Sequence, residues 1–191
     1  MDIKIINKIF PIIENNENLQ YDSIGIFSIT LPSDANEISK IILENDGSDI
    51  EIFDGTAGLG GNTISFAYNF RDVIGCEIDK NRFKMLENNI NTYNLNNVSL
   101  YNDNSINLLN KNNKSDVYFF DPPWGGPDYK HHNTVNIRLG NLSIYDIILK
   151  IRDYTDSPIY FKLPNNYDIN ELFDFNYDIN IVKNYKLISI L

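Results

Sequence analysis

Strand-like and helical stretches alternate along the chain, which predicts an α/β fold on a mainly parallel sheet with an antiparallel hairpin at the C-terminus. Three observations carry this expectation. Short runs rich in β-branched and aromatic residues occur at Ile50–Phe53, Val73–Ile78, Val98–Tyr101, Val117–Phe120 and Ile159–Leu163, a composition that suits a pleated, buried surface. The stretches between them repeat apolar residues at helical spacing. The final runs, Tyr177–Val182 and Tyr185–Leu191, are parted only by Lys183 and Asn184. That gap holds a hairpin turn and is too short for the crossover that parallel strands need.

Each element has its own signal. Met1–Ile13 is isoleucine-rich, but Lys4 and Lys8 interrupt it and no small-residue cleavage site follows. It reads as a helical start rather than a leader peptide or a membrane span. Ile24–Thr30 reads as extended. Residues 1–45 are expected to form an N-terminal extension packed over the active edge of the sheet, with residues 46–191 as the main domain. Asp34 and Glu37 stand in capping-box spacing ahead of Ile38, Ile41 and Ile42. Asp79 precedes a helix whose Phe83, Leu86, Ile90 and Tyr93 share one face, and Ser143 and Asp146 open another that carries Ile144, Ile147, Ile148 and Ile151.

Composition narrows the class. A chain of 191 residues with 42% hydrophobic content suits one domain with a real core. It is expected to be soluble and intracellular. The single cysteine, Cys76, lies in a strand pattern and reads as a buried, inert thiol. His131 and His132 are adjacent rather than at helical ligand spacing, and no metal site is expected. The net charge of −10 does not suit a protein that grips many duplex phosphates. Any nucleic-acid partner is therefore expected to be read at one nucleotide or chain end through a local pocket. The abundance of Asn, Ile and Lys reads as the bias of an AT-rich genome.

The most specific string is Asp121-Pro122-Pro123-Trp124-Gly125-Gly126-Pro127-Asp128-Tyr129, directly after the strand Val117–Phe120. Two consecutive prolines fix φ near −65° and remove two donors, so nearby carbonyls can accept hydrogen bonds from a ligand. A carboxylate, a stiff carbonyl and an indole face together describe a pocket for a flat, amino-bearing base.

A second constellation begins at the first strand's end, where Asp54 to Thr63 forms a glycine-rich turn into a helix. It lacks the lysine of a phosphate loop and cannot be aligned on the dinucleotide spacing. Asp54 itself suits a ligand with a positive amino group, such as the methionine part of S-adenosylmethionine. Glu77 follows the second strand, where an acid commonly holds ribose hydroxyls, and Asp103 follows the third, where it can accept from an adenine amino group. Any one of them could simply cap the next helix. Three in order, each after its own strand, point to a methyltransferase.

The segment Asp54–Ala67, the run Val73–Asp79, the helix end Asn88–Tyr93 and above all Pro122–Tyr129 resemble the trimethylguanosine synthase family, the RNA cap guanine 2-amino methyltransferases. The resemblance continues through Thr134–Arg138, Leu163-Pro164 and Asn184–Leu187, and so runs from about residue 24 to the end. It implies a Rossmann-like, class I S-adenosylmethionine-dependent methyltransferase, monomeric, with 7-methylguanosine-capped RNA as partner. Cofactor contacts are then expected from Thr30, Asp54, Thr56, Ala57, Gly58, Asn62, Thr63, Glu77, Asp103 and Asp121, and chemistry from Asp121, Pro122 and Trp124. Substrate contacts are expected from Pro123, Trp124, Tyr129, Asn88, Lys130, Arg138 and Lys162. Trp124 would stack on the base, which 7-methylation makes cationic, a contact of about 0.5–2 kcal/mol.

This chain departs from the family pattern in having Asp121 where serine is usual, and Asn165 where an arginine follows Leu-Pro. Lys162, Lys130 or Arg138 is expected to replace the missing phosphate contact. One rival reading is an amino methyltransferase acting on adenine or on non-cap guanine. Adenosine enzymes with Asp-Pro-Pro-Trp place that motif before the cofactor motif, whereas here Asp54–Thr63 comes first. A rival of another class is a catalytically silent cap-binding protein.

Overall fold

The computed structural model describes residues 2–191. Its elements follow in the order α1 (Ile3–Ile9), α2 (Gly25–Ser28), α3 (Pro32–Asp46), β1 (Glu51–Asp54), α4 (Gly61–Asn69), β2 (Asp72–Cys76), α5 (Lys80–Thr92), β3 (Val98–Tyr101), α6 (Ser105–Leu108), β4 (Val117–Phe120), β5 (Arg138–Leu139), β6 (Leu142–Ser143), α7 (Ile144–Arg152), β7 (Ile159–Pro164), β8 (Tyr177–Val182) and β9 (Tyr185–Ile190). The sheet has seven strands in the order β3-β2-β1-β4-β7-β9-β8, with β5 and β6 forming a separate pair. It is mostly parallel and ends in antiparallel strands, the Rossmann-like arrangement of class I methyltransferases.

The contacts divide the chain into two compact units, the first reaching Ser105 and the second running from Ile106 to Leu191. In the first unit β2 pairs in parallel with β1 and β3. Ile52, Phe53, Val73 and Cys76 are all buried, and Ala35, Ile38 and Ile42 of α3 add buried side chains. The N-terminal segment joins this core: Ile6, Ile9, Phe10 and Leu19 pack with Leu59, Leu86, Ile90 and Tyr93. Buried amides clasp the same segment. Asn89 Nδ2 donates to the carbonyls of Gln20 and Leu59, each at 3.0 Å, and the Gln20 N–H donates back to Asn89 Oδ1 at 2.8 Å.

In the second unit β4 pairs in parallel with β7, and β7, β9 and β8 follow antiparallel. Every residue of β4 and β7 is buried, as expected for strands covered on both faces. Ile144, Ile147, Ile148 and Ile151 of α7 are all buried. The capping box at the start of α7 forms as the spacing predicts, with Asp146 N–H donating to Ser143 Oγ at 3.1 Å and Ser143 N–H to Asp146 Oδ2 at 2.9 Å.

Two expectations for the N-terminal third are corrected. Ile24–Thr30 is not extended: Gly25–Ser28 is a helical turn, because Asp22 accepts from the Gly25 N–H and Gly25 lies so close to Leu59 that no Cβ would fit. The Asp34–Glu37 capping box does not form either. Helix α3 starts three residues earlier, with Pro32 in its first turn and Leu31 as an N-cap without a side-chain bond, since proline's fixed φ is suited to that position. Among the described residues no helix is long and apolar enough to cross a membrane.

At the start of α5, Asp79 accepts from the N–H groups of Arg82 and Asn81 at 2.8 and 2.9 Å, and these bonds hold its carboxyl below the ordinary 3.8. Because the folded pKa is lowered, the stability this charge adds is present above 3.8 and is lost as pH falls through the folded value. Asn caps a helix without titrating. Urea unfolding of Asp79→Asn should therefore fall less steeply with acid below pH 3.8 than that of the parent protein.

Candidate functional site

The first unit gathers most of the residues expected to hold the cofactor. Asp54 ends β1 with its side chain fully buried. Its Oδ2 accepts from Thr63 Oγ at 2.7 Å and its Oδ1 from the Thr56 N–H at 3.2 Å. Both donors lie within nine residues of the carboxylate, so the turn folds around the charge it must satisfy. Gly60 caps α4 at φ +102°, a conformation that side chains oppose. A Cβ on Gly61 would stand 2.6 Å from the Thr30 carbonyl oxygen, so this glycine lets the turn meet the N-terminal segment. There Asn62 Nδ2 donates to Thr30 Oγ at 3.0 Å.

Glu77 stands just beyond β2 and clamps the same turn. Its Oε2 accepts from the Gly58 N–H at 3.1 Å and its Oε1 from the Asp79 N–H at 2.7 Å. Burial pushes its carboxyl above the ordinary range, opposed by the Asp79 N–H and by Arg82, whose guanidinium lies 3.9 Å away. The Ala57 N–H donates to the Cys76 carbonyl at 2.9 Å. Cys76 is itself buried and free, and burial pushes its thiol up to about 12. Asp103 lies in the loop after β3 with an exposed side chain that accepts from the Asn104 N–H at 2.6 Å.

This donor and acceptor set fits S-adenosylmethionine. The buried Oδ1 of Asn62 has no hydrogen-bond partner among the described residues, an acceptor that an ammonium would satisfy. At Gly58, with φ +58°, the nearest atom a Cβ would meet is the Thr56 carbonyl oxygen at 3.9 Å, so a ligand can approach the backbone.

The second unit carries the proline-tryptophan loop. Asp121 follows β4, and Lys162 of β7 donates to its Oδ2 at 2.7 Å. Pro122 is buried and Pro123 exposed. Trp124 donates from Nε1 to the Lys162 carbonyl at 3.3 Å and meets Tyr129 edge-on, with centroids 5.2 Å apart. The Lys162 ammonium lies 5.2 Å from the ring centroids of both Trp124 and Tyr185. Asn166 fastens the far end of the loop, donating to the carbonyls of Tyr129 and His132 at 2.8 and 2.9 Å.

Several expected substrate contacts are engaged elsewhere. Lys162 is only 8% exposed and is paired with Asp121, so it is not a surface phosphate contact. Arg138 donates to the Asn141 carbonyl of its own hairpin at 2.7 Å. Asn88 donates to the Asn18 carbonyl at 2.7 Å and lines a groove with Glu17, Gln20 and Thr92. Lys130 is exposed, 5.7 Å from the Tyr129 ring centroid. His131 and His132 are exposed, and among the described residues no group of three metal-ligating side chains gathers.

Sequence reasoning missed Asp22, Arg82, Asn102, Asn166 and Tyr185. Arg82 joins Asp22 at 3.1 Å, and Asn102 Nδ2 donates to the Glu77 carbonyl at 2.8 Å. Their only advance signal is a polar residue beside a strand end or on a helix's first turn.

Residues 50–190 match the family described as RNA cap guanine-N2 methyltransferase. The chain is 33% identical over 193 residues to an uncharacterised protein of Acanthamoeba polyphaga mimivirus, spanning 87% of this chain and 75% of that protein. It is 27% identical over 163 residues to the trimethylguanosine synthase of Schizosaccharomyces pombe, spanning 82% and 67%. Its fold is similar to a T. thermophilus 16S rRNA N2 G1207 methyltransferase solved with AdoMet and guanosine. There the TM-score is 0.65 at 14% identity, over 90% of this chain and 43% of the other.

Thr63→Val removes the 2.7 Å hydroxyl bond to the buried Asp54. Hydrogen bonds to charged groups are worth about 1.5–3 kcal/mol, and chemical unfolding should show a loss of that order, together with weaker cofactor binding in calorimetry. Unchanged stability would remove Asp54 from the centre of the turn.

Proposed function

The chain belongs to the RNA cap guanine-N2 methyltransferase family, and from that premise we propose that it methylates the exocyclic 2-amino group of a 7-methylguanosine RNA cap. S-adenosylmethionine is its methyl donor and supplies an electrophilic methyl group. The single observation that carries the reading is the loop after β4, where an aspartate and a half-buried indole are bound to one residue, Lys162. The net charge of −10 supports a partner read at its end rather than along its phosphates.

Of this chain's residues, Thr30, Asn62, Thr63 and the turn Asp54–Gly58 would hold the methionine part of the donor. Glu77 would hold the ribose hydroxyls and Asp103 the adenine amino group. Asp121 and the Pro122 carbonyl would accept the two protons of the guanine amino group. That nitrogen's lone pair is delocalised into the ring, and holding both protons makes it a better nucleophile. Asp121 would then accept the proton released after transfer. Holding reactants in line can supply roughly 7–11 kcal/mol, so the principal work of the site is alignment. Trp124 supplies a stacking face, and a purine made cationic by 7-methylation is drawn to it more strongly than a neutral one. Residues 1–45 contribute Thr30 and the Asp22–Arg82 bridge, and so form part of the cofactor's surroundings.

Incubation of the protein with labelled S-adenosylmethionine and, separately, 7-methylguanosine diphosphate, guanosine diphosphate and an adenosine oligonucleotide tests the assignment. Label is expected in the methylated diphosphate alone. Label in unmethylated guanosine diphosphate, or only in adenosine, contradicts it, and no label with normal cofactor binding favours a silent cap-binding protein. Trp124→Ala should weaken cap binding by about 1–3 kcal/mol, roughly 5- to 150-fold, with cofactor affinity little changed.

A further inference from the structure

Lys162 is buried beyond what a phosphate contact needs. It is the only charged residue of β7, at 8% exposure, and a buried ammonium is costly unless matched. Three side chains match it. Asp121 in the loop after β4 receives its Nζ hydrogen bond at 2.7 Å, and the rings of Trp124 and Tyr185 present their π-systems to it, each centroid 5.2 Å from Nζ. Trp124 is held a second time, since its Nε1 donates to the Lys162 backbone carbonyl at 3.3 Å. One residue therefore touches both the aspartate and the indole on which the base pocket is built.

We propose that Lys162 is a positioning residue of the base pocket: its ammonium fixes the Asp121 carboxylate and lies against the Trp124 ring, so that acid and indole are presented in one geometry before the base arrives. The inference rests on the reading of Asp121 and Trp124 as the base pocket. The Asp121 carboxylate brings a charge to the pocket, and the Lys162 ammonium compensates it in place. A cation already beside the indole also makes Trp124 a weaker attractor for a second one, so the pocket's response to base charge is set partly by Lys162.

Trp124 is the chain's single tryptophan, so its emission reports on this contact without any substrate. The variants are Lys162→Met, Lys162→Arg, Asp121→Asn and the double Asp121→Asn/Lys162→Met, in which no charge of the pair is left unmatched. The double variant serves if Lys162→Met folds poorly. Acrylamide quenching should rise about twofold or more in Lys162→Met and in the double variant as the ring loses its cover, and stay near the parent value in Lys162→Arg, which keeps the cation–π contact. With 7-methylguanosine diphosphate, Lys162→Met should lower kcat about tenfold or more while the S-adenosylmethionine Kd stays within about twofold, a loss at the chemical step rather than in cofactor binding. The double variant should be no worse than the poorer single one, because residues acting as a unit are not additive. An unchanged quenching constant, or losses that multiply, overturns the proposal. Absence of any methylation by the parent protein would contradict the cap reading instead, and the quenching comparison would still decide the role of Lys162.

Discussion

A charge buried at the carboxyl end of a parallel strand has to be compensated where it stands, because the strand's own backbone groups are spent on the sheet. An ion taken out of water costs several kcal/mol even after relaxation. Asp54 at the end of β1 meets this constraint with the Thr63 hydroxyl and the Thr56 N–H, and Glu77 beyond β2 meets it with the N–H groups of Gly58 and Asp79. Asp121 beyond β4 meets it with a lysine. In each case the compensating groups come from the turn or the neighbouring strand. Satisfying the charge therefore shapes the loop that a ligand would meet.

The two solutions differ in what they leave for chemistry. In the first unit, Asp54 accepts from the neutral Thr63 hydroxyl and Thr56 N–H, and among the described residues the buried Asn62 Oδ1 has no hydrogen-bond partner. Such a site retains negative character and suits a cationic ligand group. In the second unit the Asp121 charge is matched by Lys162, so a preference for a positively charged base rests on the face of the Trp124 ring rather than on net field. That division accords with a family whose donor is a sulfonium bearing an ammonium and whose proposed acceptor is a flat aromatic amine.

Much of this was legible in the sequence because local rules decided it. The capping box of Ser143 and Asp146, the N-cap at Asp79 and the apolar faces of α5 and α7 all act within one helical turn, and the strands Val98–Tyr101 and Val117–Phe120 are bounded as the pattern predicts. What escaped depends on distance. Lys162 meets Asp121 across 41 positions of chain and Arg82 meets Asp22 across 60, and no periodicity links such pairs. Local competition explains the other errors. Isoleucines at 24, 26 and 29 favour an extended reading, yet the Asp22 cap and the close approach of Gly25 to Leu59 make a helical turn. Pro32 starts its helix before Asp34 can cap it.

On the proposed function, Trp124 stands in a pocket that selects a positively charged purine. Titrating the free protein with 7-methylguanosine diphosphate and with guanosine diphosphate while following tryptophan emission tests it most directly, since no other tryptophan contributes. Saturable quenching by the methylated nucleotide, at concentrations about tenfold or more below those the unmethylated one requires, is the expected result for a cation-sensitive aromatic contact. Equal quenching by both, or none by either, would contradict the account.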